Sequence, residues 1–253
     1  GWVVPEVAAR EHANVIFEVV DEVLNEANLK MSDINYIWVT TNPGLMPSLL
    51  TWITVARTFA NILKIPLFEI NHIQAHIFSN FLERKKEDIS FPLVCLTVSG
   101  WHNDIYYMPS LWEMEKIGSS EDDAAGESYD KVAKMMWLPY PWGPIISKLA
   151  SEYKSNSKKL FPRVWLNKDE FNFSFSWLKS SVKREIDLRI QSNILNIENN
   201  TELKNLYLNN EILLTLDDKM EISYEFQNAV NEVLSKKLIN WWLSKQVKTV
   251  MLA

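Results

Sequence analysis

Two histidines, His72 and His76, stand four residues apart. On a helix this spacing puts both imidazoles on one face, where they can share a metal ion. Two ligands are not a complete site, and the intervening Ile-Gln-Ala lacks the glutamate of a His-Glu-x-x-His zinc protease. The other reading is a pair of histidines at a helix N-terminus, hydrogen-bonded to their surroundings. A second candidate is Ser99-Gly100, which separates the apolar run Leu93–Val98 from Ile105-Tyr106-Tyr107. Small residues at a bend between two buried strands leave backbone N–H groups uncovered, so a phosphate can approach closely. An ordinary β-hairpin has the same pattern. A Walker loop differs, because it leads into a helix and carries a lysine. The third cluster is Asp122 to Lys131, in which Gly126 and Asp130 are four apart and share a helical face. A small residue there permits close packing or close ligand approach, and a carboxylate can accept from a ribose hydroxyl. A capped surface helix is the alternative. Pro141-Trp142-Gly143-Pro144 reads as a rigid loop, and Lys183-Arg184 as a small solvated basic patch.

The elements around these residues alternate. Apolar periodicity predicts helices over 10–28, 49–63, 72–85, 122–136, 145–153 and 223–244, with Asp122 and Asp123 in the first turn of the fourth. Strands are expected over 34–40, 65–70, 93–98, 105–107 and 248–253. The run Leu93–Val98 is unbroken and rich in β-branched residues, the mark of a strand covered on both faces. A short apolar segment and a basic helix are expected over 171–186, and 191–219 is Asn-rich and reads as an inserted, poorly constrained segment. This alternation predicts a layered α/β protein. The expected division is a first α/β lobe over 1–89 with the histidine helix, and a second over 90–253 with the phosphate-turn hairpin, 190–221 being an insertion.

Composition narrows the function classes. The 253 residues carry a net charge of −6 and the pI is about 5.4, without the basic footprint of most nucleic-acid binders. There is no apolar run of the roughly 18 residues a membrane span needs and no visible targeting segment. The single cysteine, Cys95, lies inside the apolar strand; it excludes an intrachain disulfide, suits a reducing compartment and reads as packing. Glycine is 6 of 253, where ordinary usage predicts about 18, and tryptophan is 11. The chain starts without Met and ends in mid-strand by pattern, so it reads as a fragment.

Taken in order, the motifs resemble one family, the tRNA N6-adenosine threonylcarbamoyltransferases, formerly described as O-sialoglycoprotein endopeptidases. The matching segments are Val3-Val4-Pro5-Glu6 with Arg10-Glu11-His12, Pro43-Gly44-Leu45, Ser48-Leu49-Leu50, and Asn71-His72 through His76. They continue with Val98-Ser99-Gly100 and His102, Asp122 through Lys131, Leu138-Pro139-Tyr140-Pro141, Phe161-Pro162-Arg163, and Phe173-Ser174-Phe175-Ser176 with Leu178-Lys179. The resemblance implies the actin/Hsp70-type (ASKHA) fold of two α/β lobes, here truncated at both ends. It implies that His72 and His76 are two ligands of one divalent ion, iron or zinc, whose third ligand, an aspartate, this chain lacks. It implies that Thr97, Val98, Ser99, Gly100 and Trp101 form the phosphate-side loop, and that Asp130 and Gly143 hold the adenosine. The implied reaction moves the threonylcarbamoyl group of threonylcarbamoyl-AMP to N6 of adenosine 37 in tRNAs reading ANN codons. It would occur in the cytoplasm with partner proteins, and no residue is assigned as general base. The fragment alone is expected to be inactive.

The chain departs from the family at Trp2, Trp52, Trp101, Trp137, Trp142 and Trp177, where the family has glycine. Trp101 in the phosphate turn is expected to fill the space of the ligand, and overpacking at each such site costs roughly 1–3 kcal/mol. A UGA codon read as glycine by some bacteria, and as tryptophan under a common alternative table, would account for the glycine deficit and the tryptophan excess together. Two other readings compete with the transferase. One is a non-catalytic partner subunit of the same fold, against which the histidine pair argues. The other is a metallopeptidase, for which no base stands beside the metal pair.

Overall fold

The computed structural model describes residues 4–82, 84–154, 159–163, 171–198 and 214–253. Two compact units divide at Glu83–Arg84. Both are mixed α/β, as the alternation of periods predicts.

The first unit runs α1 (Pro5–Glu26), β1 (Ile37–Asn42), α2 (Met46–Leu63), β2 (Leu67–Asn71) and α3 (His72–Ser79). β1 and β2 pair in parallel, Ile37 opposite Leu67, with α2 as the crossover. α1 packs on α2; of α1 only Ile16 is buried, against Val39, Ala56 and Ala60 elsewhere in the unit's core. The strands end side by side, and Asn71 Nδ2 donates to Asn42 Oδ1 at 2.8 Å. The same Asn71 then caps α3, its Oδ1 accepting from the N–H groups of Ile73 (2.9 Å) and Gln74 (3.1 Å). The chain therefore turns from strand into helix at His72. α3 is shorter than the expected 72–85: Asn80, Phe81 and Leu82 bond back three residues rather than four, which tightens and ends the helix.

The second unit is built on a four-stranded sheet in the order β5-β4-β3-β6, with β3 (Leu93–Val98), β4 (Asn103–Ser110), β5 (Glu113–Ser119) and β6 (Thr249–Leu252). β3 pairs antiparallel with β4, Leu96 opposite Ile105, and parallel with β6, Leu96 opposite Leu252. It is thus interior, and Leu93, Val94, Cys95 and Leu96 are buried, as the unbroken apolar run demands. The helices are α4 (Ala125–Met135), α5 (Trp142–Glu152), α6 (Ser176–Glu198) and α7 (Leu216–Lys245). Their buried faces, with Val132, Met136, Ile146, Val182, Phe226 and Val230, meet Phe173 and Phe175 in one core.

In the second unit one strand is additional to those expected and three expectations change. β5 has no apolar alternation; it is an exposed polar edge strand, stabilised by pairing with β4 rather than by burial. α5 begins at Trp142, so 142–144 form its first turn and not a rigid loop; a proline in the first turn is tolerated because its missing N–H has no helical partner there. α7 starts seven residues before the expected 223, because Thr215 and Asp218 form a reciprocal capping box. α4 starts at Ala125, which leaves Asp122 and Asp123 outside it. Of the segment 191–219, residues 191–198 belong to α6 and 216–219 to α7, and 199–213 lie outside the described residues.

Candidate functional site

The bend between β3 and β4 is the turn Ser99–His102. Ser99 N donates to His102 O at 2.9 Å, which closes it. The Ser99 hydroxyl accepts from the N–H groups of Trp101 (3.3 Å) and His102 (3.0 Å) and donates to His102 O at 3.1 Å. Two of the N–H groups expected to be uncovered are thus taken up inside the turn, an outcome legible in the serine itself. Gly100 is the open point: a Cβ there would meet nothing within 4 Å. The indole of Trp101 is 74% exposed, so it lies out in solvent rather than packed into the turn.

α4 begins against this turn. Gly126 N donates to Ser99 O at 3.3 Å. With its amide oriented to match its neighbours, Asn103 donates to His102 O at 2.8 Å and accepts from Ala125 N at 2.6 Å. A Cβ on Gly126 would lie 2.5 Å from Gly100 Cα and 2.9 Å from Ser99 O, so only glycine permits this approach. The positive end of the helix dipole is thereby set beside the turn, which favours an anion there. β6 ends beside β3, with Val98 N donating to Ala253 O at 2.9 Å and Ala253 N to Leu96 O at 3.0 Å. The turn therefore sits at the carboxyl ends of two parallel strands, the place where α/β sheets receive ligands.

Of the other expected residues, Thr97 is buried and its hydroxyl donates to Asp104 O at 3.3 Å, which braces the hairpin. Asp130 is half-buried on α4, four residues beyond Gly126 and on the same face. Gly143 lies in the first turn of α5, where a Cβ would meet nothing within 4 Å. Beside it the Trp142 ring takes Lys134 Nζ at 4.2 Å and the edge of Tyr140 at 5.4 Å between centroids. Gly100 and Gly143 are thus two open glycines at the entrances to strand-following and helix-starting segments, while Gly126 is a closed one.

The acidic pair does a different job from the one expected. Asp122 takes the start of α6, accepting from Ser174 Oγ (2.5 Å), Phe175 N (2.8 Å) and Ser176 N (3.3 Å). Asp123 lies between Lys131 Nζ (2.5 Å) and Lys179 Nζ (2.6 Å). Burial alone would raise its pKa, but the hydrogen bonds and charges of the two lysines outweigh this and lower it. Neither lysine stood out in the sequence as a partner of Asp123; their spacing of 48 residues gives no local signal. Lys183 pairs with Asp187 at 3.3 Å on an exposed face, as expected of a solvated patch.

In the first unit the His72 and His76 rings converge, with Nε2 atoms 3.1 Å apart and centroids 4.4 Å apart. One proton between the two nitrogens satisfies this geometry. So does an ion, since two ligands of a tetrahedral metal bound at about 2.0–2.1 Å lie at a similar separation. The pair fits as two ligands of a larger set; among the described residues no group of three His, Cys, Asp or Glu is placed to hold a metal.

The profile of the tRNA N6-adenosine threonylcarbamoyltransferases matches residues 1–253. A protein of that description from Staphylococcus haemolyticus is 42% identical over 253 residues, covering 100% of this chain and 66% of its own length. One from Syntrophomonas wolfei is 39% identical over 256 residues, covering 100% of this chain and 67% of its own. The chain thus spans about two thirds of the length of these relatives. A Pseudomonas aeruginosa structure described as similar to the peptidase YeaZ aligns with a TM-score of 0.30 and 18% identity over 43% of this chain and 50% of that one, too loosely to inform the fold.

Proposed function

We propose, for a chain that belongs to the tRNA N6-adenosine threonylcarbamoyltransferase family, that its second unit holds the adenylate of threonylcarbamoyl-AMP. The observation that carries this is the fit of α4 onto the Ser99–Gly100 turn through Gly126, at the carboxyl ends of β3 and β6. Gly100 lets a phosphate oxygen reach the backbone, and the α4 N-terminus supplies a fixed positive potential that needs no reorganisation. Thr97 and Val98 keep the turn in register with the sheet, Ser99 holds its shape, and Trp101 borders it. Asp130 accepts from a ribose hydroxyl, and Gly143 leaves room for the nucleoside against α5.

The acyl group would then pass to N6 of adenosine 37 of the tRNA, with AMP as leaving group. The fixed positive potential of the α4 N-terminus would stabilise the charge that develops on the phosphate as it departs. His72 and His76 would hold a divalent ion, iron or zinc, which when bound polarises a carbonyl as a Lewis acid. Asn71 caps the helix that carries both imidazoles. Protein partners of the modification complex fit the apolar residues that α1 leaves exposed, among them Val7, Phe17 and Val23. No described helix is long and apolar enough to cross a membrane; the proposed site of action is the cytoplasm.

The test is reconstitution of the full-length protein with tRNA, threonylcarbamoyl-AMP and its partners, with modified nucleoside measured by mass spectrometry. His72→Ala with His76→Ala should abolish modification, and Gly126→Ala should weaken adenylate binding. Modification that is unchanged in both variants would favour a non-catalytic partner of the same fold instead.

A further inference from the structure

We infer that position 137 carries glycine in the protein as its own cell makes it, encoded by a UGA codon that this cell reads as glycine. The geometry is that of a helix C-terminus. α4 ends at Met135 with Met136 as its cap; Trp137 N then donates to Lys134 O at 3.1 Å and Leu138 N to Ala133 O at 3.0 Å. These are the two bonds of a Schellman motif, and both require a left-handed residue between them, which Trp137 supplies with φ of 53°. Glycine takes that conformation without a Cβ penalty, and asparagine is the common substitute. The indole that the sequence places here is left 46% exposed.

The other left-handed residues are Asn28, Lys64 and Gln246, an asparagine and two unbranched chains, and none of the described glycines has positive φ. Thus the residue type built for this conformation is missing from it, in a chain with 6 glycines and 11 tryptophans among 253 residues. One reassigned codon links the two anomalies, since UGA differs by a single base from both UGG (Trp) and GGA (Gly). Trp101 and Trp177, 74% and 69% exposed, are further positions where an indole lies mostly in solvent. Trp241 is different: it is 3% exposed and stacks on Tyr107 at 4.9 Å, as a tryptophan selected for its bulk does. With glycine also at 101, the phosphate turn would read Ser-Gly-Gly.

The experiment is peptide mass spectrometry on the protein purified from cells that carry the gene. Tryptic cleavage after Lys134 and Lys148 isolates 135–148, with Trp137 and Trp142, and cleavage after Lys237 and Lys245 isolates 238–245, with Trp241 and Trp242. The expected result is a glycine mass at 137 and a tryptophan mass at 241. A tryptophan mass at 137 overturns the inference whatever the codon, and so does a UGG codon there. As an independent readout, Trp137→Gly in protein expressed under the standard code should raise the melting temperature by about 2–4 °C; a fall would contradict the conformational argument.

Discussion

Lys179 Nζ donates to Asp123 Oδ2 at 2.6 Å, tying the second residue before Ala125 to the first turn of α6. Lys131 Nζ takes the other oxygen from α4 itself. Asp123 is buried and its pKa lies below its ordinary value of 3.8, because the two lysines outweigh the penalty of burial. A carboxyl lowered on folding stabilises the protein above its unfolded pKa, and that stabilisation is lost as pH falls through the lower folded value. Denaturant unfolding of the wild type at pH 6 and pH 3 should therefore show a loss of stability at pH 3. Asp123→Asn should shrink that loss, and lower stability at pH 6 by about 1–3 kcal/mol because each lysine loses an ionised acceptor. An identical pH dependence in the two proteins would remove Asp123 from this role.

Gly126 carries a separate prediction. The atoms a Cβ would meet, Gly100 Cα and Ser99 O, are backbone and cannot swing aside. Gly126→Ala should cost roughly 1–3 kcal/mol as an overpacked contact, although alanine favours helix by up to about 1 kcal/mol. Gly143→Ala meets nothing within 4 Å and should keep or slightly raise stability. The pair separates close packing from ligand approach: in an AMP titration of the full-length protein, Gly143→Ala should weaken binding although its fold is intact. Undiminished AMP affinity in Gly143→Ala would remove that glycine from the adenosine pocket.

What the sequence disclosed depended on how local the cause was. β3 was legible because an interior strand needs an unbroken apolar run, and Leu93–Val98 is one. The hairpin followed from Ser99-Gly100, and the α/β class and actin/Hsp70-type fold from the order of motifs. The edge strand β5 was not, since Glu113–Ser119 owes its conformation to β4 and not to its own pattern. The acidic residues Asp122 and Asp123 look like helix-start residues in isolation. Their partners, Ser174, Phe175 and Lys179, come from more than 50 residues away, and no local rule finds them. The Thr215–Asp218 capping box was in principle visible three residues apart, but it is buried in an Asn-rich context that suggested a loop.

The histidine pair predicts metal uptake by the full-length protein that depends on both rings. With Nε2 atoms 3.1 Å apart, removal of either ring leaves one ligand from this helix where two are needed. His76→Ala should lower zinc content, measured by elemental analysis after dialysis, from about one ion per chain to near zero. Circular dichroism should be unchanged, because the cap of α3 is made by Asn71 and not by either imidazole. Full metal content in His72→Ala and in His76→Ala would show that neither ring is a ligand.

Cys95 gives a test of the sheet's interior that is independent of function. It lies in β3 between β4 and β6, opposite Tyr106 and Met251, and is fully buried. Burial pushes its thiol pKa up to about 12, so at pH 8 the thiolate that reacts with disulfide reagents is scarce as well as inaccessible. Reaction with an aromatic disulfide at pH 8 should be negligible in the native protein and complete in denaturant. Because the thiol is exposed only when β3 leaves the sheet, its labelling rate at intermediate denaturant should report opening of the strand that leads into the Ser99–His102 turn. Adenylate bound at that turn should then slow the labelling, since a ligand that binds only the folded sheet stabilises it by mass action. Labelling that proceeds at the same rate with saturating adenylate would mean that the nucleotide is held somewhere other than the end of this strand.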